Sequence, residues 1–241
     1  MSFKRIMAIL MILICTVTFI SAQNTDRELT VEEFYMLQSI ELMIIREQSR
    51  ADSREMKAIA LEYINEAIQR GNTGEEIVAS LEYLGIEGII NQTRENGRLL
   101  NNYPDIRMKA AAYLGDIGTP EARASLFKMA MAEKEPMVLT EIIRSLGKIG
   151  NNENHTTSEL IESIVFHYNS TNPDNLLALA ALEAYEKLAL SNNGIIHLSM
   201  IESVMSIING YYLRPVQQRA MQTLATLRSY TLQARPPSAN N

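Results

Sequence analysis

The stretch PDIRMKAAAYLGDIG, Pro104 to Gly118, returns 32 residues later as PMVLTEIIRSLGKIG, Pro136 to Gly150. Few side chains are shared, yet Pro, Leu, Gly, Ile and Gly recur in the same register. In the first copy Ile106, Ala110, Tyr113, Leu114 and Ile117 fall at 3–4 spacing, on one face of a helix. Val138, Ile142, Leu146 and Ile149 repeat that face. Proline suits a first helical turn, where its missing N–H has no intrahelical acceptor. Gly118 and Gly150 stand where each helix must stop, since glycine takes the left-handed cap conformation without steric cost. Gly115 and Gly147 are different. They lie inside their helices, where glycine costs about 1 kcal/mol against alanine. A neighbouring backbone passing close is the physical reason to keep them, so they are expected at helix-to-helix contacts.

The unit extends in both directions. Thr119-Pro120-Glu121 starts a second helix with Ala122, Leu126, Met129 and Ala130 on one side. Pro173 and Pro215 open later units, at spacings of 37 and 42 residues, the growth falling in the loops NNENHTT (151–157) and SNNGIIHLS (191–199). Ser/Thr–Glu pairs at Thr30/Glu33, Thr73/Glu76, Thr156/Glu159 and Ser199/Glu202 are read as capping boxes. The predicted helices are 31–48, 53–70, 75–85, 87–100, 104–117, 120–133, 136–149, 157–169, 173–190, 199–209 and 215–232. Asn-Gly at 96–97 has no alternating strands beside it, so no hairpin is expected there. Helix pairs repeating at 32–42 residues predict an all-α fold, an α-solenoid of stacked antiparallel helix pairs.

The pattern D-I-R-x-K-A-A-x-x-L-G-x-I-G followed by P-E-A resembles HEAT repeats, in particular the short type also found in phycobilin lyases. The resemblance covers about residues 75–232 and is densest at 104–150. LEYLGIEG, ENGRLLNNYPDIR, EPMV and NPDNLLALAA look like small exported HEAT-repeat proteins of spirochaetes. The units at 173 and 215 lack the Leu-Gly-x-Ile-Gly ending. Such a resemblance implies a HEAT-like solenoid at 74–233 and a surface for protein partners.

The amino-terminal segment has another character. Lys4 and Arg5 precede an apolar run from Ile6 to Phe19, and Ile20-Ser21-Ala22 supplies small residues before Gln23. That is the layout of a signal peptide over 1–22, with cleavage after Ala22 and a periplasmic or secreted product. The apolar run is short for a membrane span, which needs roughly 20 residues. No integral span is expected after cleavage. The single cysteine, Cys15, leaves with the signal, and the formal charge moves from −6 to −8. Residues 23–73 are expected to cap the solenoid, and the polar tail 234–241 to be disordered.

Charge is uneven: residues 23–90 carry 14 acidic and 6 basic side chains, residues 91–150 carry 7 and 9. An acidic chain with no basic stripe argues against nucleic acid as a partner. No HExxH, Walker loop, G-x-S-x-G or G-x-G-x-x-G occurs, and the three histidines, His155, His167 and His197, have no metal-ligand spacing. Glu32, Glu33, Glu75 and Glu76 sit in first turns, where they complement the helix dipole. No catalytic residue, metal or cofactor is expected.

The expected function is therefore an exported, non-catalytic scaffold or adaptor for a protein partner of unknown identity. An accessory or lyase-like enzyme subunit, or a structural subunit of an envelope or motility assembly, is the alternative. The second helix of each pair is expected to line the binding surface. Leu126, Met129, Leu160, Ile164, Val204 and Ile208 should face the core. Arg123, Phe127, Lys128, Glu162, Phe166 and Glu202 are then the candidate contact residues. Residues 31–48, apolar over more than half the helix, are either a cap buried on both sides or a methionine-rich surface for self-association.

Overall fold

The structure is a computed structural model that describes residues 30–233. The signal segment 1–22 and the tail 234–241 lie outside the described residues. The chain divides into two compact units, Met1–Ile40 and Glu41–Asn241. In the first, Thr30 and Glu33 close a complete capping box at the start of α1 (Val31–Arg50): each backbone N–H donates to the other's side chain, at 3.0 and 3.2 Å.

The second unit holds the rest. Its helices are α2 (Arg54–Gln69), α3 (Glu75–Ile86), α4 (Pro104–Ile117), α5 (Pro120–Ala132), α6 (Pro136–Ile149), α7 (Thr156–Thr171), α8 (Asn175–Ser191), α9 (Leu198–Asn209) and α10 (Arg214–Gln233). Pro104, Pro120 and Pro136 each occupy a first turn. Gly118 and Gly150 end α4 and α6 at φ 70° and 73°, as the repeat requires. Helices α2, α4, α6, α8 and α10 pack each on the next in one layer, while α3 packs on α5 and α7 on α9 in a second. This is the expected all-α, HEAT-like stack. Central α6 buries residues on both sides, among them Val138, Leu139, Ile142, Ile143 and Leu146.

The internal glycines lie at the stacking contacts. A Cβ on Gly115 of α4 would sit 2.5 Å from Ser145 Oγ and 2.9 Å from Ser145 Cα on α6. One on Gly147 of α6 would sit 2.8 Å from Ala184 Cα on α8. The close approach also lets Ser145 Oγ donate to the Ala111 carbonyl at 2.9 Å, a bond from helix to helix. Further along, the Arg219 guanidinium grips Glu186 at 2.6 and 2.7 Å, tying α10 to α8 and holding the Glu186 carboxyl below its ordinary range.

Residues 87–100 do not form the expected helix. They fold into turns and a two-stranded hairpin, β1 (Arg94–Glu95) with β2 (Arg98–Leu99). Asn96 and Gly97 both take positive φ, 49° and 81°, the tight turn that an Asn-Gly pair accepts. The segment is pinned from within. Asn101 Nδ2 donates to the Asn91 carbonyl at 2.8 Å and Asn101 Oδ1 accepts from the Thr93 N–H at 2.9 Å. Beneath it the Glu87 carboxylate meets buried Lys57 Nζ at 2.7 Å. An Asn-Gly turn and a buried ion pair decide this segment.

Three of the four expected capping boxes are absent. Gly74 precedes α3, and Glu76 pairs with Arg46 at 3.1 Å instead. His155 precedes α7 with no side-chain cap bond, and Asn152 Oδ1 from further back accepts the Ser158 N–H at 3.0 Å. His197 stands at the start of α9, its Nδ1 accepting the Ser199 N–H at 3.4 Å. Helix α8 begins after Asp174, whose carboxylate accepts from Leu176 and Leu177 N–H, so Pro173 precedes the cap.

Candidate partner-binding groove

Within the second layer the contacts are interrupted once. Helices α5 and α7 scarcely approach each other, although α3 on α5 and α7 on α9 are packed. The two helices are laced at their ends. In the first turn of α5, Arg123 Nη2 donates to Thr156 Oγ1 at 2.5 Å and Thr157 Oγ1 at 3.0 Å, at the start of α7. At the far ends Tyr168 Oη donates to the Lys134 carbonyl at 2.5 Å. Start joined to start and end to end makes α5 and α7 run in the same direction. Between them lies a groove of about 590 Å³. Leu139 of α6, Ala130 and Met131 of α5, and Leu160 and Ile164 of α7 provide its apolar lining, and Glu133, Lys134, Ser163, His167 and Tyr168 its polar groups.

Most of those polar groups are already committed. Ser163 Oγ donates to the Leu160 carbonyl at 2.9 Å. Glu133 is buried and receives the Arg107 guanidinium at 2.6 and 3.2 Å, and it also accepts the N–H groups of Lys134 and Glu135 that open the turn into α6. Arg107 Nη1 donates to the Glu87 carbonyl and Asn102 Oδ1. The Arg of the D-I-R in the repeat is thus a buried anchor joining α4, the hairpin segment and the α5–α6 turn.

The sequence-derived contact residues divide into two groups. Arg123 is half-buried, bound to the two threonine hydroxyls and stacked over Phe127, 4.6 Å from its ring centre. Lys128 pairs at 2.5 Å with Glu82 of α3, which also accepts from Ser125 Oγ. Arg123 and Lys128 therefore bridge neighbouring helices, and Phe127 lies against Arg123 within α5. Phe166 is 41 % exposed. Glu162 and Glu202 belong to the neighbouring helices α7 and α9; burial first, and then the Glu202 charge, push the Glu162 carboxyl up from its ordinary range. Of the expected core residues Leu126, Met129, Ile164 and Val204 are buried, while Leu160 and Ile208 are half-buried and Ile161 and Ile207 take the deep positions.

A carboxyl with a raised folded pKa costs stability as pH rises through its titration and costs none while protonated. Glu162→Gln removes that cost. Its melting temperature should exceed that of the parent near neutral pH, and the two should converge below about pH 4, the ordinary glutamate range. A thermal-melt series across pH checks this; a gap that persists at low pH would assign the gain to something other than charge.

Two histidines meet unexpectedly. The rings of His155 and His197 stack with centres 4.1 Å apart and planes inclined by 13°. The contact joins the loop before α7 to the loop before α9. Parallel stacked rings direct their nitrogen lone pairs side by side, not onto one point, so the pair acts as a packing contact. Among the described residues no cluster of three or more His, Cys, Asp or Glu is placed to hold a metal ion. Nor is any helix among them long and apolar enough to cross a membrane.

Residues 98–185 match the family model for HEAT repeats. The match spans α4 to α8, the same helices whose glycines interlock and whose second layer opens into the groove. No curated protein and no solved structure matches the chain. HEAT repeats commonly serve as protein-interaction scaffolds. Met131, Lys134, Ser163 and Tyr168 were not singled out from sequence, and His167 was weighed there only as a metal ligand. Met131 carried a signal: it is an apolar residue outside the buried arc of α5, and it is 82 % exposed.

Proposed function

We propose that the chain is an exported, non-catalytic scaffold or adaptor that binds another protein through the second layer of its HEAT-like stack. The observation that carries this reading is the groove between α5 and α7. Half of its lining residues are apolar, and Met131 and Phe166 of the two flanking helices are exposed. Exposed apolar groups of this kind mark contact surfaces more often than chemistry. Of the polar groups lining the groove, Glu133, Ser163 and Tyr168 hold up the fold, and none forms a nucleophile–base pair. Export rests on Lys4, Arg5, the apolar run 6–19 and the small residues before Gln23. The similarity of LEYLGIEG and NPDNLLALAA to small exported spirochaete HEAT proteins supports the same compartment.

One experiment tests both parts. A carboxy-terminally tagged chain is recovered from its own cell envelope with whatever it holds. The recovered bait should begin at Gln23 and carry a partner protein, and Phe166→Ala with Glu162→Lys should lose that partner while melting as a folded protein. The mass of the complex separates a foreign partner from a second copy held through residues 31–48. An unprocessed bait would overturn export. A partner retained by the double variant but lost on replacing His155, His167 and His197 would overturn the surface reading.

A further inference from the structure

The sequence holds three Asn-Gly pairs, at 96–97, 193–194 and 209–210. In such a pair the glycine nitrogen can attack the asparagine side chain, because no Cβ on the glycine hinders the approach. The attack needs a glycine N–H that is not bonded elsewhere and a peptide that is free to turn. Two of the three pairs are held. The Gly194 N–H donates to the Ala189 carbonyl at 2.8 Å, and a Cβ on Gly194 would stand 3.3 Å from Tyr230 Cβ. The Gly210 N–H donates to the Ile207 carbonyl at 3.3 Å at the end of α9, while the Gly210 carbonyl accepts from Gln217 Nε2 at 3.0 Å. A Cβ on Gly210 would stand 2.6 Å from Asn169 Oδ1, so that peptide is also crowded. The third pair is the tip of the β1–β2 hairpin. Residues 94–98 are all exposed. The Gly97 N–H donates to no backbone carbonyl, and nothing lies within 4 Å of where a Gly97 Cβ would stand. The Asn101 bonds to Asn91 and Thr93 pin the base of the segment and leave its tip alone. One side-chain bond reaches the tip, from exposed Arg94 Nη1 to the Gly97 carbonyl at 3.2 Å. The Gly97 nitrogen faces Asn96 Cγ once the turn opens, and a ladder of two residues a side opens readily.

We propose that Asn96 is a self-modification site, converted by its own backbone to aspartate or isoaspartate. The Gly97 nitrogen forms a bond to Asn96 Cγ, and the bond from Cγ to Nδ2 breaks. The Gly97 amide proton passes through solvent to the departing nitrogen, which leaves as ammonia. Water then adds across one of the two C–N bonds of the cyclic imide. Opening on one side gives aspartate, and opening on the other gives isoaspartate, whose backbone runs through Cβ. Nothing is oxidised or reduced, and water is the only co-reactant. Either product places a new negative charge between Arg94 and Arg98. The isoaspartate also lengthens the turn by one backbone carbon, which the paired residues Glu95 and Arg98 cannot span in their present register.

Ageing of the full chain in mildly alkaline buffer, followed by peptide-mapping mass spectrometry, tests this. In the folded chain position 96 should convert roughly tenfold faster than positions 193 and 209, whose bonded amides must first open. In concentrated urea the three pairs should convert at comparable rates, because the difference between them is made by the fold. Conversion should quicken as pH rises, since the attacking amide must lose its proton. Asn96→Gly removes the reacting side chain and keeps a residue that takes positive φ without strain. That variant should lack the early acidic species seen on ion exchange and keep the parental melting temperature. Conversion at 193 or 209 as fast as at 96 in the folded chain would overturn the proposal. So would a position 96 that stays intact in the folded chain and converts only in urea, which would show that the hairpin protects it.

Discussion

Gly147→Ala should lower the melting temperature, although alanine is the better helix former by about 1 kcal/mol. The new methyl would stand 2.8 Å from both Cα and Cβ of Ala184. No rotamer relieves that contact, because a backbone atom is part of it. Helices α6 and α8 must separate, and overpacking of this kind costs about 1–3 kcal/mol. The net expectation is a loss of up to about 2 kcal/mol after the propensity gain is deducted, up to several degrees of melting temperature for a unit of this size. Gly115→Ala should behave alike, with the added loss of the Ser145-to-Ala111 bond between helices. Gly85 provides the contrast. A methyl there meets only the flexible side chain of Met129, which can turn away, so Gly85→Ala should be mild. Thermal melts of the three variants decide the matter. If the Gly147 and Gly115 variants both melt higher than the parent, these glycines are tolerated breaks in the helix and not stacking contacts.

Arg107→Met should be the most damaging substitution of a single charged residue. Arg107 and Glu133 are each about 1 % exposed at the side chain. Removing the guanidinium leaves the Glu133 carboxylate buried without a counter-ion. It also frees the Glu87 carbonyl and Asn102 Oδ1 from their donor. Breaking a buried pair by taking one partner costs about 3–5 kcal/mol. The backbone N–H groups of Lys134 and Glu135 still serve the carboxylate, which places the expectation at the lower end of that range. Arg107→Met with Glu133→Gln should recover a substantial part of the loss. Glutamine keeps an acceptor for those N–H groups and carries no charge to strand. Urea denaturation measures each step of the cycle. A single variant that loses under about 1 kcal/mol would show that water reaches the pair and that it does not anchor the α5–α6 turn.

The stack was legible in the sequence because the same physical demands recur in each unit. A proline is cheap only in a first turn, a left-handed cap favours glycine, and an interior glycine needs a reason. Those demands located α4 and α6 to within a residue and marked Gly115 and Gly147 as contacts before any neighbour was known. The misreadings share a cause too. Ile89, Ile90, Leu99 and Leu100 only flank a polar stretch, and nothing in their positions shows Lys57, which reaches from another helix to Glu87. Thr73 and Glu76 have the capping interval, but Arg46 competes for the glutamate. Each was decided by a partner distant in sequence.

The groove was hidden for a related reason: it is made by a contact that does not form. It falls where the link between paired helices changes length. Only residues 118–119 join α4 to α5, whereas residues 150–155 join α6 to α7. The longer link contains a 3₁₀ turn with Asn154 and His155 at positive φ. It lets α7 stand away from α5 while the stacked histidines hold it toward α9. The lengthening was visible in sequence as loop growth. That it opened a groove, and did not merely add solvent-exposed chain, required knowing which helices were neighbours.

Hydroxyl-radical labelling of the captured complex, compared with the free chain, tests most directly whether function resides on this surface. Met131 is 82 % exposed and Phe166 41 %, so both should label readily when the chain is alone. In the complex their labelling should fall together, while Tyr211, 95 % exposed in the turn between α9 and α10, should label as before. Met131 and Phe166 labelling equally in free and bound chain, with protection found elsewhere, would contradict the assignment of the binding surface to the α5–α7 seam.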